Sequence, residues 1–378
     1  MQARQGLVRL DGIDMLRGLS ILMVVVHHIC LRMPFEKSAL GHYLPKQLLH
    51  DIDWNGGNGV TVFFAVSGFL ITSTALRRWG GLENIRIGEF YRLRFARIAP
   101  LLLLLLAVLS VLHLAGLHHY RIDPKVTSLG HAIFAALTFH LNWLEAQHGY
   151  LPANWDVLWS LSVEEMFYLF FPLLCWALRG GAWLRALLVL FVVVGPVYRL
   201  THARGIWSDT SYLGGMDAIA LGCLAAMVVP KLRMGRVGLL VMQAAGVAMM
   251  TLVLGFSRWA YLLEGKRWEL GSTILPLGAC LVMMAVAQTQ RPGGWASAPL
   301  RWFGRNSYEV YLTHMFVVLT GTEMFVQHGS NWWWAPVWLV GMVCLAGALG
   351  ALVARLYSEP MNRRLRAGMP RTLVATTA

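Results

Sequence analysis

Two ionisable residues share one face of an almost wholly apolar segment near the N-terminus. Arg17 and His28 are eleven positions apart within the run from Leu16 to Cys30. Eleven positions make close to three turns of an α-helix, so both side chains lie on one face, about 16 Å apart along the axis, whereas His27 is rotated by about 100°. Charged groups in a lipid-buried helix are costly and usually face a bundle interior, so we interpret the pair as functional. The alternative is that Arg17 reaches the membrane surface and His28 bonds to a neighbouring helix.

Two carboxylates are predicted to reach the depth of His28. Glu164 belongs to Trp159-Ser-Leu-Ser-Val-Glu-Glu-Met-Phe-Tyr168, and Asp217 lies in a glycine-rich run of a later apolar segment. All three residues are expected about 10 Å below the outer surface. Because a histidine oriented by a carboxylate is a common general base for a hydroxyl, we predict that His28 is the base and that Glu164 orients it. For both carboxylates, a structural hydrogen-bond network between helices is the alternative.

An arginine pair precedes the third apolar segment. Arg94 and Arg97 belong to Phe90-Tyr-Arg-Leu-Arg-Phe-Ala-Arg-Ile-Ala-Pro100. They are three positions apart and therefore neighbours on one helical face. Such a pair can bind phosphates through planar guanidinium forks. Anchoring by positive charge at the inner membrane surface explains the same arginines without a ligand, and charge alone favours neither interpretation.

Three further polar residues are assigned supporting roles. Ser67 precedes Gly68 in the middle of the second apolar segment, where small residues favour close helix packing; a hydrogen bond to a substrate is the alternative. His314 lies in the segment that begins at Gly304 and is predicted near mid-membrane. Glu359, in Tyr357-Ser-Glu-Pro360, is expected to balance nearby arginines.

The composition is that of an integral membrane protein. Of the 378 residues 57% are hydrophobic and only 13% charged, and the mean hydropathy is +0.55. The formal charge of +13 comes from basic residues in loops beside apolar segments, which indicates membrane orientation and not nucleic-acid binding. None of the five cysteines forms a CxxC pair, so we expect no metal site and no disulfide framework.

Hydropathy predicts an all-α polytopic bundle with about ten transmembrane helices. The segment 131–144 is too short to cross and is predicted to be re-entrant or interfacial. With ten spans, most Lys and Arg residues lie on the side of the N-terminus, which places both termini in the cytoplasm. We expect one membrane domain over residues 1–366 and a short, disordered cytoplasmic tail over 367–378. The predicted spans are 13–33, 57–76, 98–117, 157–178, 183–199, 211–229, 237–256, 269–289, 307–327 and 334–356.

Taken together, the motifs resemble the acyltransferase family 3 of integral membrane O-acyltransferases. Each motif alone is weak, but six in this order cover nearly the whole chain. His27 departs from the family, whose members often carry an aromatic residue there, and the spacing from Arg17 favours His28 as the counterpart of the family histidine. The motifs are the Arg17-to-His28 spacing, Phe63-Phe-x-x-Ser-Gly-Phe69, Arg94-x-x-Arg97-Ile-x-Pro100, Trp159-Ser-Leu-Ser-Val-Glu-Glu-x-Phe-Tyr168, Ser307-Tyr-x-x-Tyr-Leu-x-His314 and Glu359-Pro360.

The resemblance implies transfer of an acyl group, commonly acetyl from cytoplasmic acetyl-CoA, to a hydroxyl. The acceptor would be a cell-envelope or exported polysaccharide, a glycolipid or a small molecule, and the protein would lie in the cytoplasmic membrane. His28 and Glu164 would be catalytic, and the other residues named above would bind donor or acceptor. A proton-coupled transporter or flippase for a glycan or acyl carrier is the competing class. The sequence lacks the internal repeats that are typical of transporters, which favours the enzyme.

Overall fold

A computed structural model describes residues 10–202, 207, 210–257, 271–328 and 331–367. These residues form helices joined by turns, with no strand among them. The predicted tail over 367–378 lies outside the described residues except for Ala367, so it stays a prediction.

Seventeen α-helices are named here in chain order for the described part of the chain, and a π-helical turn, Ala354–Ser358, joins the last two. The helices are α1 Asp11–Cys30, α2 Leu40–Tyr43, α3 Lys46–Trp54, α4 Gly56–Trp79, α5 Ile87–Leu114, α6 Leu129–Leu137, α7 Leu141–His148, α8 Ala153–Asp156, α9 Leu158–Ala177, α10 Ala182–Thr201, α11 Tyr212–Val228, α12 Arg236–Gly255, α13 Gly271–Thr289, α14 Ala298–Arg305, α15 Ser307–Gln327, α16 Ala335–Val353 and α17 Glu359–Arg366.

The predicted class, a polytopic helical membrane bundle, is confirmed. Within the described ranges, nine helical segments are long and apolar enough to cross a membrane. They correspond to nine of the ten predicted spans. The remaining one, α15, is a helix of 21 residues, but it is not among those nine segments, and it carries polar residues such as Glu309 and His314.

The segment 131–144 is divided between two short helices. Helix α6 has nine residues and α7 has eight, and Phe139 between them adopts a positive φ of 58°. Helices of this length extend only about 13 Å, far less than the roughly 30 Å hydrocarbon core. Neither helix can cross a bilayer, as the shortness of the segment predicts.

Helix α1 is central to the bundle and packs against α4, α14 and α15. Helices α4 and α11 approach closely where Gly68 meets the backbone of Ile219, because a Cβ atom at Gly68 would overlap the carbonyl oxygen of Ile219. This contact agrees with the packing interpretation of Ser67-Gly68. It also holds α4 where one of its faces can line the site described next.

Candidate active site

A cavity of about 420 Å³ opens between α1, α4, α5, α9 and α15, with α17 at its edge. Its volume is in the range of small-molecule sites, about 300–1,000 Å³. Five arginines and one carboxylate line it, so the wall is strongly basic. The lining residues are Arg17, Val60, Phe63, Phe64, Val66, Ser67, Leu70, Ile71, Thr74, Ala75, Arg78, Trp79, Phe90, Leu93, Arg94, Arg97, Ile98, Ser160, Leu161, Glu164, Tyr168, Ser307, Tyr308, Tyr311, Leu312 and Arg366.

Arg94 is the arginine best placed to meet a ligand in this cavity. Its guanidinium lies over the ring of Tyr168, 3.4 Å from the centroid. This stacking holds the planar group in one orientation. Its Nε atom is buried and has no hydrogen-bond partner within the described ranges. Arg94 therefore presents an oriented donor group to the cavity.

Arg97 is engaged by a carboxylate that the sequence analysis did not single out. Its two terminal nitrogens donate to Glu309, at 2.8 Å to Oε1 and 3.4 Å to Oε2, and Ser358 donates to the same Oε1 at 2.7 Å. Glu309 is fully enclosed, with 1% of its side chain exposed. The predicted pair is thus divided: both arginines line the cavity, but the fork of Arg97 is held by Glu309.

Glu164 lines the same cavity and does not contact His28. Its carboxylate accepts hydrogen bonds from Ser67 and from the hydroxyl of Tyr168, the latter at 2.6 Å. Ser67 also contacts Tyr168. Among the described residues, the ring of His28 has other partners. The prediction that Glu164 orients His28 is therefore wrong, because equal depth in the membrane does not bring two helix faces together.

The partner of His28 is His314. Nε2 of His314 lies 3.2 Å from Nδ1 of His28, and the ring centroids are 5.1 Å apart. Arg17, on the same face of α1, donates to Ser307 at 2.8 Å, so both predicted residues of α1 face α15. The helical spacing that groups Arg17 with His28 agrees with this geometry.

The hydrogen bonds of the two rings fix the tautomers of the neutral pair. Nδ1 of His314 lies 2.7 Å from the carbonyl oxygen of Tyr311, which can only accept, so that nitrogen carries the proton and Nε2 is an acceptor. Nδ1 of His28 lies 2.9 Å from the carbonyl oxygen of Val24 and is therefore a donor. It donates between Val24 and His314, which leaves the lone pair of His28 on Nε2.

His27 faces another part of the protein. Its Nδ1 contacts the carbonyl oxygen of Asp53 at 2.6 Å, and its ring packs near Trp54 with centroids 5.9 Å apart. Both contacts are with the short helix α3. The two adjacent histidines thus have separate surroundings, as their rotation around α1 predicts.

Tyr311 lies between the cavity and the histidine pair. Its hydroxyl contacts Ser160 at 2.5 Å and donates to the carbonyl oxygen of Val157 at 2.8 Å. Its ring centroid is 5.9 Å from that of His314, and Phe63 packs against it from the cavity side. The histidines therefore lie directly behind one wall of the cavity.

Three of the predicted binding residues, His314, Asp217 and Glu359, do not line the cavity. Asp217 forms a two-point ion pair with Arg199, at 3.1 and 2.7 Å, and accepts from Thr273 at 3.1 Å. Asp217 is 1% exposed and Arg199 5%, so this contact clamps α10, α11 and α13 together. Glu359 is exposed at the start of α17. Their predicted binding roles stay predictions, and the carboxylate that pairs with the cavity arginine Arg97 is Glu309.

Sequence reasoning missed Glu309, Tyr168, Ser160 and Tyr311 as site residues. A partial signal was available, because Ser307, Tyr311 and His314 recur at helical spacing and so share a face of α15. Glu309 gives no such signal, since an acidic residue in the first turn of a helix is common for reasons of the helix dipole.

Outside the spans, one carboxyl has a strongly perturbed pKa. Glu145 in α7 is fully buried. Burial, followed by the nearby carboxyl of Asp156, raises the pKa of Glu145 to about 10, although its Oε1 accepts from the backbone of Leu151 at 3.1 Å. Glu145 is therefore protonated at neutral pH.

The fold and the cavity define a multi-pass membrane protein with a basic, partly buried cavity. The chain belongs to the acyltransferase family 3, whose acyltransferase domain matches residues 10–355. This match confirms the resemblance drawn from the motifs.

Two relatives carry names that describe an activity. The chain is 26% identical over 356 residues to the peptidoglycan O-acetyltransferase OatA of Listeria monocytogenes, covering 85% of this chain and 51% of the relative. It is 25% identical over 387 residues to the O-acetyltransferase OatA of Staphylococcus aureus, covering 94% and 57%. The chain thus spans about half the length of these relatives. No solved structure matches it significantly.

Proposed function

We propose that this protein is an O-acyltransferase that moves an acetyl group from cytoplasmic acetyl-CoA to a hydroxyl of a cell-envelope glycan. The observation that carries the proposal is the arginine-lined cavity, which reaches toward a histidine pair whose tautomers leave one nitrogen able to accept a proton. Family membership and the names of the relatives support the same reaction class.

The residues of the cavity fit an acyl-CoA donor. The volume of about 420 Å³ suits a slender pantetheine arm, and the nucleotide end would stay at the basic mouth. Arg94 and Arg366 would hold the phosphates, with Arg78 beside them, because guanidinium groups bind phosphate oxygens well. When bound, the thioester supplies the activated acyl group: its C–S bond breaks, an ester C–O bond forms, and the proton passes to sulfur.

His28 is proposed to act as the general base. Its Nε2 lone pair would accept the proton of the acceptor hydroxyl as the ester bond forms. His314 holds the opposite nitrogen of the ring and so keeps the basic nitrogen fixed. Glu164, bonded to Ser67 and Tyr168, would instead position the cavity wall and the stacked guanidinium of Arg94.

Orientation follows from charge. With the excess of Lys and Arg on the side of the N-terminus, both termini and the basic mouth of the cavity would face the cytoplasm, in the cytoplasmic membrane. Reporter fusions after Gly180 and after Pro230 should both read cytoplasmic. A fusion at Gly180 that reads external would contradict this orientation.

The function is tested by measuring CoA release from acetyl-CoA by the purified protein in nanodiscs, with and without an oligosaccharide acceptor. We expect acceptor-dependent release together with an acetylated sugar. His28→Ala should lower turnover by about 10²–10⁴-fold, the usual contribution of a general base. The matched control is His27→Phe, which should be mild because His27 faces α3. Acceptor transport without CoA release would instead support the transporter class.

A further inference from the structure

A second depression lies at the far end of the two helices that carry the site. On α1, Arg17 lines the cavity, and Arg32, which lines the depression, lies in the turn just beyond the end of this helix at Cys30, about 20 Å from Arg17 along the helix axis. On α15, the corresponding residues are Ser307 and Leu319, about 18 Å apart. The depression has a volume of about 340 Å³ and is called the outer pocket. It therefore opens on the side opposite to the basic mouth.

One residue of the outer pocket contacts the backbone of the proposed base. Arg32 lines the pocket and donates from Nη1 to the carbonyl oxygen of His28 at 3.1 Å. Leu319 stands five positions after His314 on α15. The histidine pair thus lies between two openings, the arginine-lined cavity on one side and the outer pocket on the other. A ligand in the outer pocket would lie beside Arg32, one residue contact from the backbone of His28, without entering the donor cavity.

The polar lining of the outer pocket is mainly cationic. Arg32, Arg121, His118 and His119 line it, and Tyr150 adds an aromatic face of the kind that packs against sugar rings. Three carboxylates offset part of this charge, because Asp123 lines the pocket, Asp156 lies close enough to Arg32 to interact with its charge, and Glu323 contacts His119. His119 lies 3.0 Å from Glu323, and Oδ1 of Asp123 accepts from the backbone of Lys125 at 2.9 Å. The formal charge of the lining stays positive, with two arginines against one carboxylate, Asp123.

A buried polar side chain stands behind the same wall. Asn154 follows the lining residue Ala153 and is 2% exposed, and neither atom of its amide has a hydrogen-bond partner in the described part of the chain. Such a group is costly unless water or a ligand satisfies it. Asn154 does not itself line the outer pocket, so a water molecule behind the wall would satisfy its amide without a ligand.

We propose that the outer pocket is the acceptor site and that the acceptor is an anionic glycan, with Arg32 and Arg121 binding its carboxylate or phosphate. The transfer step rests on the proposed function, whereas binding in the pocket does not. Arg32 would bring the bound sugar close to His28, because its guanidinium already contacts the backbone of that residue. The chemistry of the pocket thus selects acidic sugars over neutral ones.

The test uses three sugars that differ in charge: N-acetylglucosamine, N-acetylmuramic acid with its carboxylate, and N-acetylglucosamine 6-phosphate. Binding to the full chain in nanodiscs is measured by titration calorimetry, and transfer is measured by CoA release. We expect the acidic sugars to bind on the order of tenfold more tightly than the neutral one, and the difference to shrink at high salt. The two acidic sugars show whether a carboxylate or a phosphate is preferred.

Arg121→Ala should lower the affinity for acidic sugars by on the order of tenfold and leave KM for acetyl-CoA unchanged. Arg121 is exposed, so the variant should fold. Lys125→Ala is the matched control, since it removes the same charge from the same loop without changing the lining. Arg32→Lys keeps the charge but loses the planar guanidinium fork. It should therefore lower the affinity for acidic sugars less than Arg121→Ala does.

Two results separate this proposal from the proposed function. If acidic sugars bind and Arg121→Ala lowers their affinity, but no CoA is released, the acceptor-site proposal is supported and the acyltransferase proposal fails. If CoA is released but all three sugars bind alike, or Arg121→Ala matches Lys125→Ala, the outer pocket is not the acceptor site for an anionic glycan.

Discussion

Substituting His314 tests whether it positions His28. The ring is 0% exposed and contacts His28 at 3.2 Å, the long end of a hydrogen bond between neutral groups. Such a bond contributes about 0.5–1.5 kcal/mol, or roughly 2- to 13-fold in rate if it is needed in the transition state. The carbonyl oxygen of Val24 still accepts from His28 when His314 is removed. We therefore expect His314→Leu to lower kcat by on the order of tenfold, and not by the full contribution of the base.

His314→Gln is the conservative variant. Its amide oxygen can accept from His28 and its NH₂ group can donate to the carbonyl oxygen of Tyr311, so we expect kcat near that of the unmodified protein. The assay is CoA release at saturating donor and acceptor, with thermal unfolding measured on the same preparations. KM for acetyl-CoA should not change, because His314 does not line the cavity.

The double variant His28→Ala/His314→Leu shows whether the two histidines act together or make independent contributions to kcat. Residues that act together are non-additive, so the double variant should be no slower than His28→Ala alone. Wild-type kcat in His314→Leu, or a tenfold further loss in the double variant, would refute the assignment of His314 as a positioning residue.

Four other substitutions follow from the described contacts. Arg94→Lys should raise KM for acetyl-CoA by on the order of tenfold, whereas Arg97→Lys should act mainly on thermal stability, because Glu309 already holds its fork. Asp217→Asn should lower the free energy of unfolding by about 3–5 kcal/mol and leave both KM values unchanged, since it breaks a buried ion pair away from the cavity. Glu145→Gln should raise the melting temperature, and the gain should grow between pH 5.5 and pH 8.5.

The sign of the last effect follows from linkage. A carboxyl whose pKa is raised to about 10 on folding binds a proton that the unfolded chain has released above its ordinary pKa. The stability of the unmodified protein therefore falls as pH rises from about 4.5 to 10, while glutamine does not titrate. Equal melting curves for Glu145→Gln and the unmodified protein at both pH values would contradict the assignment.

For the substitutions of Arg94 and Arg97, Arg92→Lys is the control, because Arg92 is exposed on the same helix and does not line the cavity.

The sequence predicted which residues share a face of one helix better than it predicted which helices meet. Arg17 and His28 were grouped correctly because helical periodicity is a local property. Glu164 was placed beside His28 from depth alone, and depth carries no information about the angular order of helices around a bundle. Tyr168, four residues after Glu164, is one turn away on the same face, so the neighbours of Glu164 are cavity residues.

The same limit applies to the partner of Asp217. A buried carboxylate is costly without a partner, so its function depends on which cation lies opposite. For Asp217 that cation is Arg199, 18 positions earlier in the chain. For Arg97 the partner is Glu309, 212 positions away, and no local pattern connects the two. Pairings of this kind depend on tertiary packing, which a single sequence does not encode in its hydropathy.

The contact between Tyr311 and Ser160 has a consequence for the energetics of the cell. It lies with the histidine pair between the arginine-lined cavity and the outer pocket, which the proposals above place on opposite sides of the membrane. A continuous file of water between them would conduct protons and dissipate the transmembrane potential. Because these side chains separate the two openings, the protein can have one opening on each side of the membrane without a proton leak. Only protons or groups that these side chains themselves transfer would then pass from one compartment to the other.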